Sequence, residues 1–323
     1  MRPQFAILGA GAIGSIIGAH LARAGHSVVM LVRGRRAEQV QREGLRIKGL
    51  AEFTVPVATL TDPAQFKGAE VFIVATKTTG TAEALQTLRH AEVDVAFSIQ
   101  NGIWKNDALV EVFGRERVLG ALANTSGELM SSGEVLFTRN VNVYIGELQG
   151  GDSERAQRIA QTIDASGVRS TAVPDILQRE WTKFVGWVGL MSMSVATRAY
   201  TWNYLSDPDC ALLLVRLIHE MGRMAAASGI ELTQQSQLVP TQAILRAGER
   251  EAVELVLRAG EEFRRDAPEH RMSALQDLDA GRPLEVEETL GDAVRRAAKL
   301  GLSLPLLEAT YHLVAAIDRT NRR

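Results

Sequence analysis

The sequence predicts an α/β protein in which a doubly wound parallel sheet is followed by an all-helical C-terminal domain. In the first half of the chain, short apolar runs alternate with amphipathic stretches, which is the pattern of βαβ units. In the second half, apolar residues recur at helical spacing over long segments. The chain has 323 residues, about twice the usual length of one domain. We therefore expect two domains, each with its own core.

The elements of the first half follow one another at the spacing of a doubly wound sheet. Short apolar runs predict strands at residues 5–8, 27–32, 71–76, 95–99 and 117–123, and amphipathic stretches predict helices at 13–23, 37–43 and 81–90. Two strand-like pieces at 134–138 and 142–145 are separated by polar turn residues. They predict a small antiparallel extension of the sheet.

From Ser153 onward the pattern becomes almost wholly helical. The longest amphipathic repeats cover residues 177–198, 209–228, 241–260 and 286–300. Before the first of them, Val173-Pro174-Asp175 predicts a turn followed by a helix start. We therefore predict a sheet domain at 1–175 and a helical domain at 176–323.

Composition argues against several classes of partner. The formal net charge is -2, so no global positive field favours nucleic acid or an anionic membrane surface. The apolar opening is broken at once by glycines and is too short for a signal-peptide core. No run reaches the roughly 20 apolar residues of a membrane span, and the single cysteine, Cys210, cannot form an intramolecular disulfide. We expect a cytoplasmic protein that binds no nucleic acid, no membrane and no metal.

The strongest local motif is a glycine-rich loop between the first strand and the first helix. The apolar run at 5–8 leads into Gly9-Ala-Gly11-Ala12-Ile13-Gly14, a G-x-G-x-x-G pattern. In Rossmann domains the first glycine permits a tight turn, the second lets the backbone approach a pyrophosphate, and the third allows close packing of helix on strand. Backbone N–H groups at the helix amino terminus, those of Ala12 and Ile13 among them, then favour the anion. Such turns also occur without nucleotides, but the flanking strand and helix favour a dinucleotide site.

The end of the second strand indicates which dinucleotide binds. Domains that bind NAD usually present an Asp or Glu there to the ribose hydroxyls. Here Arg33 occupies the position and is followed by Arg35 and Arg36. Guanidinium groups pair with a 2′-phosphate, which a carboxylate would repel. The pattern predicts NADP(H), and a solvated basic loop is the alternative reading.

Two further polar residues follow predicted strands at the carboxyl edge of the sheet, where ligands of open α/β folds bind. Lys77 follows the third strand and could contact phosphate, ribose or substrate, although spacing alone equally fits a surface lysine. Asn101 follows the fourth strand, in Gln100-Asn101-Gly102. Its amide would point into the same crevice, although Asn-Gly also suits an ordinary turn.

The helical half offers a candidate proton donor. Hydride transfer to a carbonyl leaves negative charge on oxygen, which requires a donor within hydrogen-bond reach. Lys183 lies near the start of an apolar helix and could supply it. Farther along, Ser273 and Asp277 would share one side of a helical turn, and Glu285 lies near the start of the next helix. Capping or a solvated face explains these last three residues equally well from spacing alone.

Taken in order, these motifs resemble the ketopantoate reductase (2-dehydropantoate 2-reductase) family. The likeness covers nearly the whole chain, from the glycine loop to Gly301-Leu-Ser-Leu-Pro305. It implies NADPH-dependent reduction of a 2-keto acid in pantothenate synthesis, with the helical domain over the nicotinamide.

The resemblance also implies roles that spacing does not assign. Lys183 would be the general acid that protonates the carbonyl oxygen, and Glu285 would orient the lysine or the substrate hydroxyl. The remaining implied roles are cofactor binding by Arg33 and Lys77, substrate binding by Ser273 and Asp277, and contact of Asn101 with both substrate and nicotinamide.

One part of the pattern departs from the family. Members commonly carry asparagines one and two helical turns after the catalytic lysine, where they contact the substrate, whereas Trp187 and Met191 occupy these positions here. Each lost hydrogen bond to a buried polar group costs about 1–3 kcal/mol. Trp187 and Met191, as substrate-binding residues, therefore favour a bulkier and more apolar keto acid. Compensating donors from Ser192, Ser194 or Asn203 would instead retain ketopantoate as the substrate.

Two other functions fit the same sequence. A related dehydrogenase with a Rossmann and a helical domain could act on 3-hydroxy acids or form opines, and product analysis would distinguish it. A cofactor-binding sensor without turnover is conceivable because the asparagines are lost, whereas the retained Lys183 and Glu285 favour an enzyme. The helical domain could also supply the surface of a homodimer.

Overall fold

The computed structural model describes residues 2–233 and 238–322. The chain forms two compact units. The first comprises the chain up to Asn101 together with Lys105–Leu177, and the second comprises Gly102–Trp104 together with the chain from Gln178 onward. Within the second unit, the Gly102 backbone packs beside Thr289.

The first unit holds the strands and the first helices. Its strands are β1 Phe5–Leu8, β2 Val28–Leu31, β3 Leu45–Gly49, β4 Phe53–Val55, β5 Ala58–Leu60, β6 Gly68–Val74, β7 Glu92–Ser98, β8 Leu119–Leu129, β9 Val135–Glu147 and β10 Ser170–Ala172. Its helices are α1 Ala12–Arg23, α2 Gly34–Glu43, α3 Thr81–Gln86, α4 Trp104–Phe113 and α5 Glu154–Ala165, with 3-10 turns at Pro63–Gln65 and Arg115–Arg117.

One sheet is wholly parallel, in the order β5-β2-β1-β6-β7, which confirms the predicted doubly wound fold. β1 lies at its centre, with Phe5 opposite Val28 on one side and Val71 on the other. Phe5 and Ile7 are both fully buried, and α1 packs on this strand. The strand order reverses between β1 and β6. The loops after these strands therefore lie at the switch point where open α/β sheets bind ligands.

A second, separate sheet corrects the predicted antiparallel extension. β8 pairs antiparallel with β9 from Leu119, opposite Glu147, to Leu129, opposite Val135. β9 also carries β10 and β3, and β3 carries β4. The segment 117–123 was predicted as the fifth strand of the parallel sheet. It belongs here instead because the ladder along β9 uses its backbone groups, and a single bridge, Ala96 to Val118, joins the two sheets in the described chain.

The second unit is helical, as predicted. It contains α6 Ile176–Thr197, α7 Thr201–Leu205, α8 Pro208–Ala227, α9 Thr241–Arg246, α10 Glu249–Asp266, α11 Ser273–Asp279, a π-helical turn Glu287–Gly291, α12 Asp292–Lys299 and α13 Pro305–Asn321. Its core is formed by fully buried side chains such as Val185, Leu214, Leu217, Val256 and Leu290.

Three helix predictions need correction. The helix predicted at 241–260 is two helices, because Ala247 and Gly248 adopt extended conformations between α9 and α10. The helix predicted at 286–300 begins as a π-helical turn. The helix predicted at 81–90 ends at Gln86. In addition, the short strand β10, which pairs in parallel with β9, interrupts the region predicted as almost wholly helical.

Candidate active site

The glycine loop has the geometry that a bound pyrophosphate requires. Gly9 adopts a φ of +105°, and a Cβ on it would lie 2.9 Å from the backbone nitrogen of Thr76. A Cβ on Gly14 would lie 2.2 Å from the carbonyl oxygen of Gly9, so only glycine lets α1 pack this close to the loop. By contrast, a Cβ on Gly11 would meet only the Ala75 carbonyl oxygen, at 3.9 Å. The backbone is therefore open at Gly11, where a phosphate would approach.

The amino terminus of α1 supplies donors at the same place. α1 starts at Ala12, and its N-cap residue, Gly11, makes no side-chain capping bond. The first N–H groups of a helix have no partner within the helix. Those of Ala12 and Ile13 therefore fall where the helix dipole favours an anion. Taken with the room above Gly11, this arrangement fits the dinucleotide that the sequence predicts.

The three arginines after β2 differ in their exposure and in their hydrogen bonds. Arg33 is exposed at the carboxyl end of β2, as the extended N-cap residue of α2, and Arg35 is exposed beside it. Neither guanidinium is buried, as the predicted pairing with a 2′-phosphate requires. Arg36 was grouped with them from sequence, but its half-buried guanidinium donates four hydrogen bonds within the first unit. Arg36 is thus held in the protein and is not available to a 2′-phosphate.

Gln100 organises the carboxyl edge beside Lys77, a role that the sequence analysis did not assign. Its Nε2 donates to the Lys77 carbonyl oxygen at 3.0 Å and to Thr81 Oγ1 at 2.8 Å, and its Oε1 accepts from Ser98 Oγ at 2.9 Å. The loop between β6 and α3 is thereby bonded to the end of β7. The Lys77 side chain is exposed. Asn101, directly after Gln100, is half-buried and is the last residue before the chain enters the second unit. The sequence signal that could have revealed this role of Gln100 is its side-chain amide, placed directly after a predicted strand.

Lys183 lies in the second turn of α6. Its side chain is half-buried, between the buried residues Thr182 and Phe184. Thr182 Oγ1 donates to the Gln178 carbonyl oxygen at 2.6 Å and accepts from the backbone N–H of Thr233 at 2.9 Å. These bonds fix the helix turn that carries the lysine.

Trp187 and Met191 follow Lys183 one and two turns along α6. Both belong to the core of the second unit, with 5% and 1% of their surfaces exposed. The Trp187 ring stacks on Phe184, with 6.3 Å between ring centroids. The side of α6 that carries these two residues is therefore apolar and packed into the core.

Glu285 is buried and lies two residues before the π-helical turn. Its backbone carbonyl accepts from the Thr289 hydroxyl within that turn. A Cβ on Gly102 would lie 3.3 Å from Thr289 Cγ2 and 4.0 Å from Phe184 Cε2. Within the second unit, the turn after Glu285 and the turn of α6 that carries Lys183 therefore meet around Gly102.

Ser273 and Asp277 lie on α11 in different surroundings. Ser273 is exposed at the first residue of the helix, whereas Asp277 is buried. The Asp277 carboxylate accepts from Arg282 Nε at 2.9 Å. An ion pair thus already holds the carboxylate, and Ser273 is the freer of the two groups to contact a ligand.

The proposed compensating donors differ in how they are engaged. Ser192 Oγ donates to the Val188 carbonyl oxygen of its own helix at 2.7 Å. The Ser194 hydroxyl is fully buried, and no hydrogen-bond partner is found for it in the part of the chain that the structure describes. Asn203 is half-buried on α7. The Ser192 hydroxyl therefore already donates its proton within its own helix and is not available to a substrate oxygen.

Two other kinds of feature are absent from residues 2–233 and 238–322. No helix there is both long and apolar enough to cross a membrane. No group of three or more His, Cys, Asp or Glu side chains in these ranges could hold a metal ion.

The fold and the glycine loop define a Rossmann domain of the dinucleotide-binding class, followed by a helical C-terminal unit. Family models agree with this class: "Ketopantoate reductase PanE/ApbA" matches residues 5–150, and its C-terminal counterpart matches residues 175–318. The chain belongs to the ketopantoate reductase family.

Known relatives match along the whole chain. A 2-dehydropantoate 2-reductase of Archaeoglobus fulgidus is 27% identical over 312 residues, which cover 97% of each chain. The crystal structure of 2-dehydropantoate 2-reductase from Methylococcus capsulatus is 26% identical, covers 99% of this chain and 98% of its own, and has a TM-score of 0.81. A D-mandelate dehydrogenase, solved with NADH and anilino(oxo)acetate, shares the fold at 19% identity over 100% of both chains, with a TM-score of 0.84.

Proposed function

We propose that the protein reduces a 2-keto acid to the 2-hydroxy acid with NADPH, and that the substrate is 2-dehydropantoate or a bulkier keto acid. The proposal rests chiefly on one feature of the second unit. The turn of α6 that carries Lys183 and the turn that follows Glu285 meet around Gly102. Gly102 directly follows Asn101 and the carboxyl edge of the parallel sheet. We propose that residues 1–175 hold the cofactor and that residues 176–323 supply the catalytic groups.

The cofactor is proposed to bind along the first unit. The glycine loop, with the N–H groups of Ala12 and Ile13, would hold the pyrophosphate. Arg33 would pair with the 2′-phosphate, because bidentate hydrogen bonds from a guanidinium fit a phosphate well. Lys77 and Asn101, after β6 and β7, would contact the part of the dinucleotide that lies across the switch point.

The catalytic step is proposed to depend on two groups of the second unit. NADPH supplies the hydride when bound. As negative charge develops on the carbonyl oxygen of the keto acid, the Lys183 ammonium would donate a proton to it. The Glu285 carboxylate would orient that ammonium group or the new hydroxyl. Ser273 would bind the keto acid. Asp277, paired with Arg282, would also contribute to binding of the keto acid.

The choice of keto acid is proposed to depend on the face of α6 beyond Lys183. Met191 has no hydrogen-bond donor, Trp187 has only its indole N–H in place of an amide, and Ser192 already donates within its helix. A polar substrate group left without a partner there costs about 1–3 kcal/mol. An apolar substituent would instead gain roughly 25 cal/mol for each Å² that it buries.

NADPH oxidation with ketopantoate and with a panel of branched and aromatic 2-keto acids tests the proposal. We expect turnover with at least one member and formation of the 2-hydroxy acid. Binding of NADPH without oxidation across the whole panel would instead indicate a sensor, and a 3-hydroxy acid or opine product would indicate a different dehydrogenase. A homodimer and a cytoplasmic location stay predictions, and size-exclusion chromatography with light scattering tests the first.

A further inference from the structure

Arg36 lies at the junction of three segments of the first unit. Its Nε donates to the Ala10 carbonyl oxygen of the glycine loop at 2.9 Å, and its Nη2 donates to Ser15 Oγ in the first turn of α1 at 3.1 Å. Its Nη1 donates to Gln39 Oε1 on α2 and to the Gly133 carbonyl oxygen in the β8–β9 hairpin, at 2.9 and 2.8 Å. One side chain therefore bonds the glycine loop to two neighbouring elements.

The bonds to Ala10 fix the orientation of one peptide group in the loop. The Ala10 carbonyl oxygen accepts from Arg36 and also from Ser15 Oγ at 3.1 Å. In a trans peptide the carbonyl and the following N–H point in opposite directions. With the carbonyl turned toward Arg36, the N–H of Gly11 points to the opposite side of the loop. Reversal of this peptide would direct an oxygen, instead of a donor, at an incoming phosphate.

Among the described residues, no carboxylate accepts a hydrogen bond from Arg36, and of the nearby charges Glu43 favours its positive charge while Arg46 opposes it. All four of its hydrogen-bond acceptors are uncharged oxygen atoms. Charged groups that lose contact with water are normally paired with an opposite charge. The guanidinium is half-buried behind a loop whose other side is open at Gly11. An anion bound at that loop would be stabilised by this positive charge.

We propose that Arg36 is a positioning residue for the dinucleotide pyrophosphate, acting through the Ala10–Gly11 peptide and through its charge. This inference rests on the proposed cofactor site and adds to it a residue that does not touch the 2′-phosphate. Arg36 should therefore contribute equally to NADPH and NADH binding. Arg33, at the exposed end of β2, should distinguish the two cofactors.

The test measures dissociation constants for NADPH and NADH by fluorescence titration. Arg36→Met should raise both constants by about 10- to 100-fold, the usual effect of losing a charge-assisted hydrogen bond, and leave their ratio unchanged. Arg36→Lys keeps the charge but cannot reach four acceptors, so its effect should be smaller. Ser15→Ala removes the second donor to Ala10 and should raise both constants by about 2- to 10-fold. Arg42→Met, on the same helix with its side chain 71% exposed, is the matched control and should change neither.

Steady-state kinetics separate positioning from a general loss of structure. For Arg36→Lys we expect the KM for NADPH to rise, while kcat at saturating NADPH and the KM for the keto acid change less than twofold. A purely structural role would lower the melting temperature and leave the dissociation constants of the folded protein unchanged, which would overturn the proposal. A loss confined to NADPH would also overturn it, because Arg36 would then bind the 2′-phosphate.

The wild-type protein separates this proposal from the proposed function. If it binds dinucleotide but turns over no keto acid, only the proposed reaction is wrong, and the Arg36 test proceeds on binding alone. If it binds neither dinucleotide, both the cofactor site and the role of Arg36 are wrong. Should Arg36→Met fail to fold, the lysine and Ser15 variants decide the question.

Discussion

The glycine loop and the surroundings of Lys183 are two kinds of site, built by two kinds of sequence. The loop uses glycines within six residues, and its chemistry comes from the backbone of Gly9–Gly14. In the second region, the turn of α6 that carries Lys183 and the turn after Glu285, which is more than one hundred residues later in the chain, meet around Gly102. The first kind of site is a property of local conformation. The second depends on the tertiary packing of the helical unit.

The largest predicted effect falls on the second region. Lys183→Met should lower kcat by about 10²- to 10⁴-fold, the usual contribution of a general acid, with little change in NADPH affinity. Lys299→Met, an exposed lysine on α12, is the control in the same unit. Stopped-flow measurement of NADPH oxidation gives both rates. Equal rates for Lys183→Met and wild type would remove Lys183 from the mechanism.

A paired change in the glycine loop separates packing from ligand contact. Gly14→Ala places a Cβ against the Gly9 carbonyl oxygen, so it should lower the melting temperature of the protein without cofactor and weaken NADPH binding. Gly11→Ala has room within the protein and should change the melting temperature little, while NADPH binding falls. Calorimetry and titration measure the two effects. Equal behaviour of the two variants would contradict the assignment of pyrophosphate to Gly11.

The preference for NADPH over NADH tests the proposed role of Arg33, at the end of β2. Arg33→Ala should raise the dissociation constant for NADPH by about 10- to 100-fold, because a charge-assisted bond to the 2′-phosphate is lost, and leave that for NADH unchanged. Titration with both cofactors at one fixed salt concentration measures the ratio. Equal affinity of the wild-type protein for NADH and NADPH would show that the basic segment is only a solvated loop.

The smallest predicted effect is on the pH dependence of stability. Burial lowers the pKa of His20 below its ordinary value of 6.5, although a bond to the Ile16 carbonyl oxygen opposes the shift. The ring packs edge-on against Phe53 and Phe137. Because the unfolded chain binds this proton more readily, the His20 contribution is complete above about pH 6.5 and is lost as pH falls toward the lowered pKa.

Thermal unfolding from pH 8 to pH 5 measures this contribution. Each unit of pKa lowering corresponds to about 1.4 kcal/mol, and His20→Gln should flatten the dependence. His90→Gln, at an exposed position of the same unit, is the control for the substitution itself. The same slope in wild type and His20→Gln would show that the buried ring does not titrate in this range.

Local patterns predicted most of the parallel sheet. β1, β6 and β7 are apolar because both of their faces are covered, and such runs are visible in the sequence. The second sheet was not predicted correctly. β10 is only three residues long, and β8 was assigned to the wrong sheet because strand pairing is decided by a distant partner, here β9. The break between α9 and α10 at Ala247 was also not predicted, because the apolar repeat continues through it.

The candidate site divides in the same way. The proposed cofactor region comes directly from the spacing of the glycines after β1 and from the position of Arg33 after β2, both of which are visible in the sequence. Lys183 and Glu285 acquired roles only through resemblance to a family, since nothing local relates them. The bonds of Arg36 and Gln100 were not foreseen, because they join residues whose proximity only the folded chain defines.

The most direct test is a crystal structure of the protein with NADPH and an unreactive keto-acid analogue. The account predicts the pyrophosphate on the Gly11 side of the loop and Lys183 Nζ within about 3.2 Å of the analogue's carbonyl oxygen, which is hydrogen-bond reach. A lysine ammonium turned to bulk water, with no contact to that oxygen, would contradict the account.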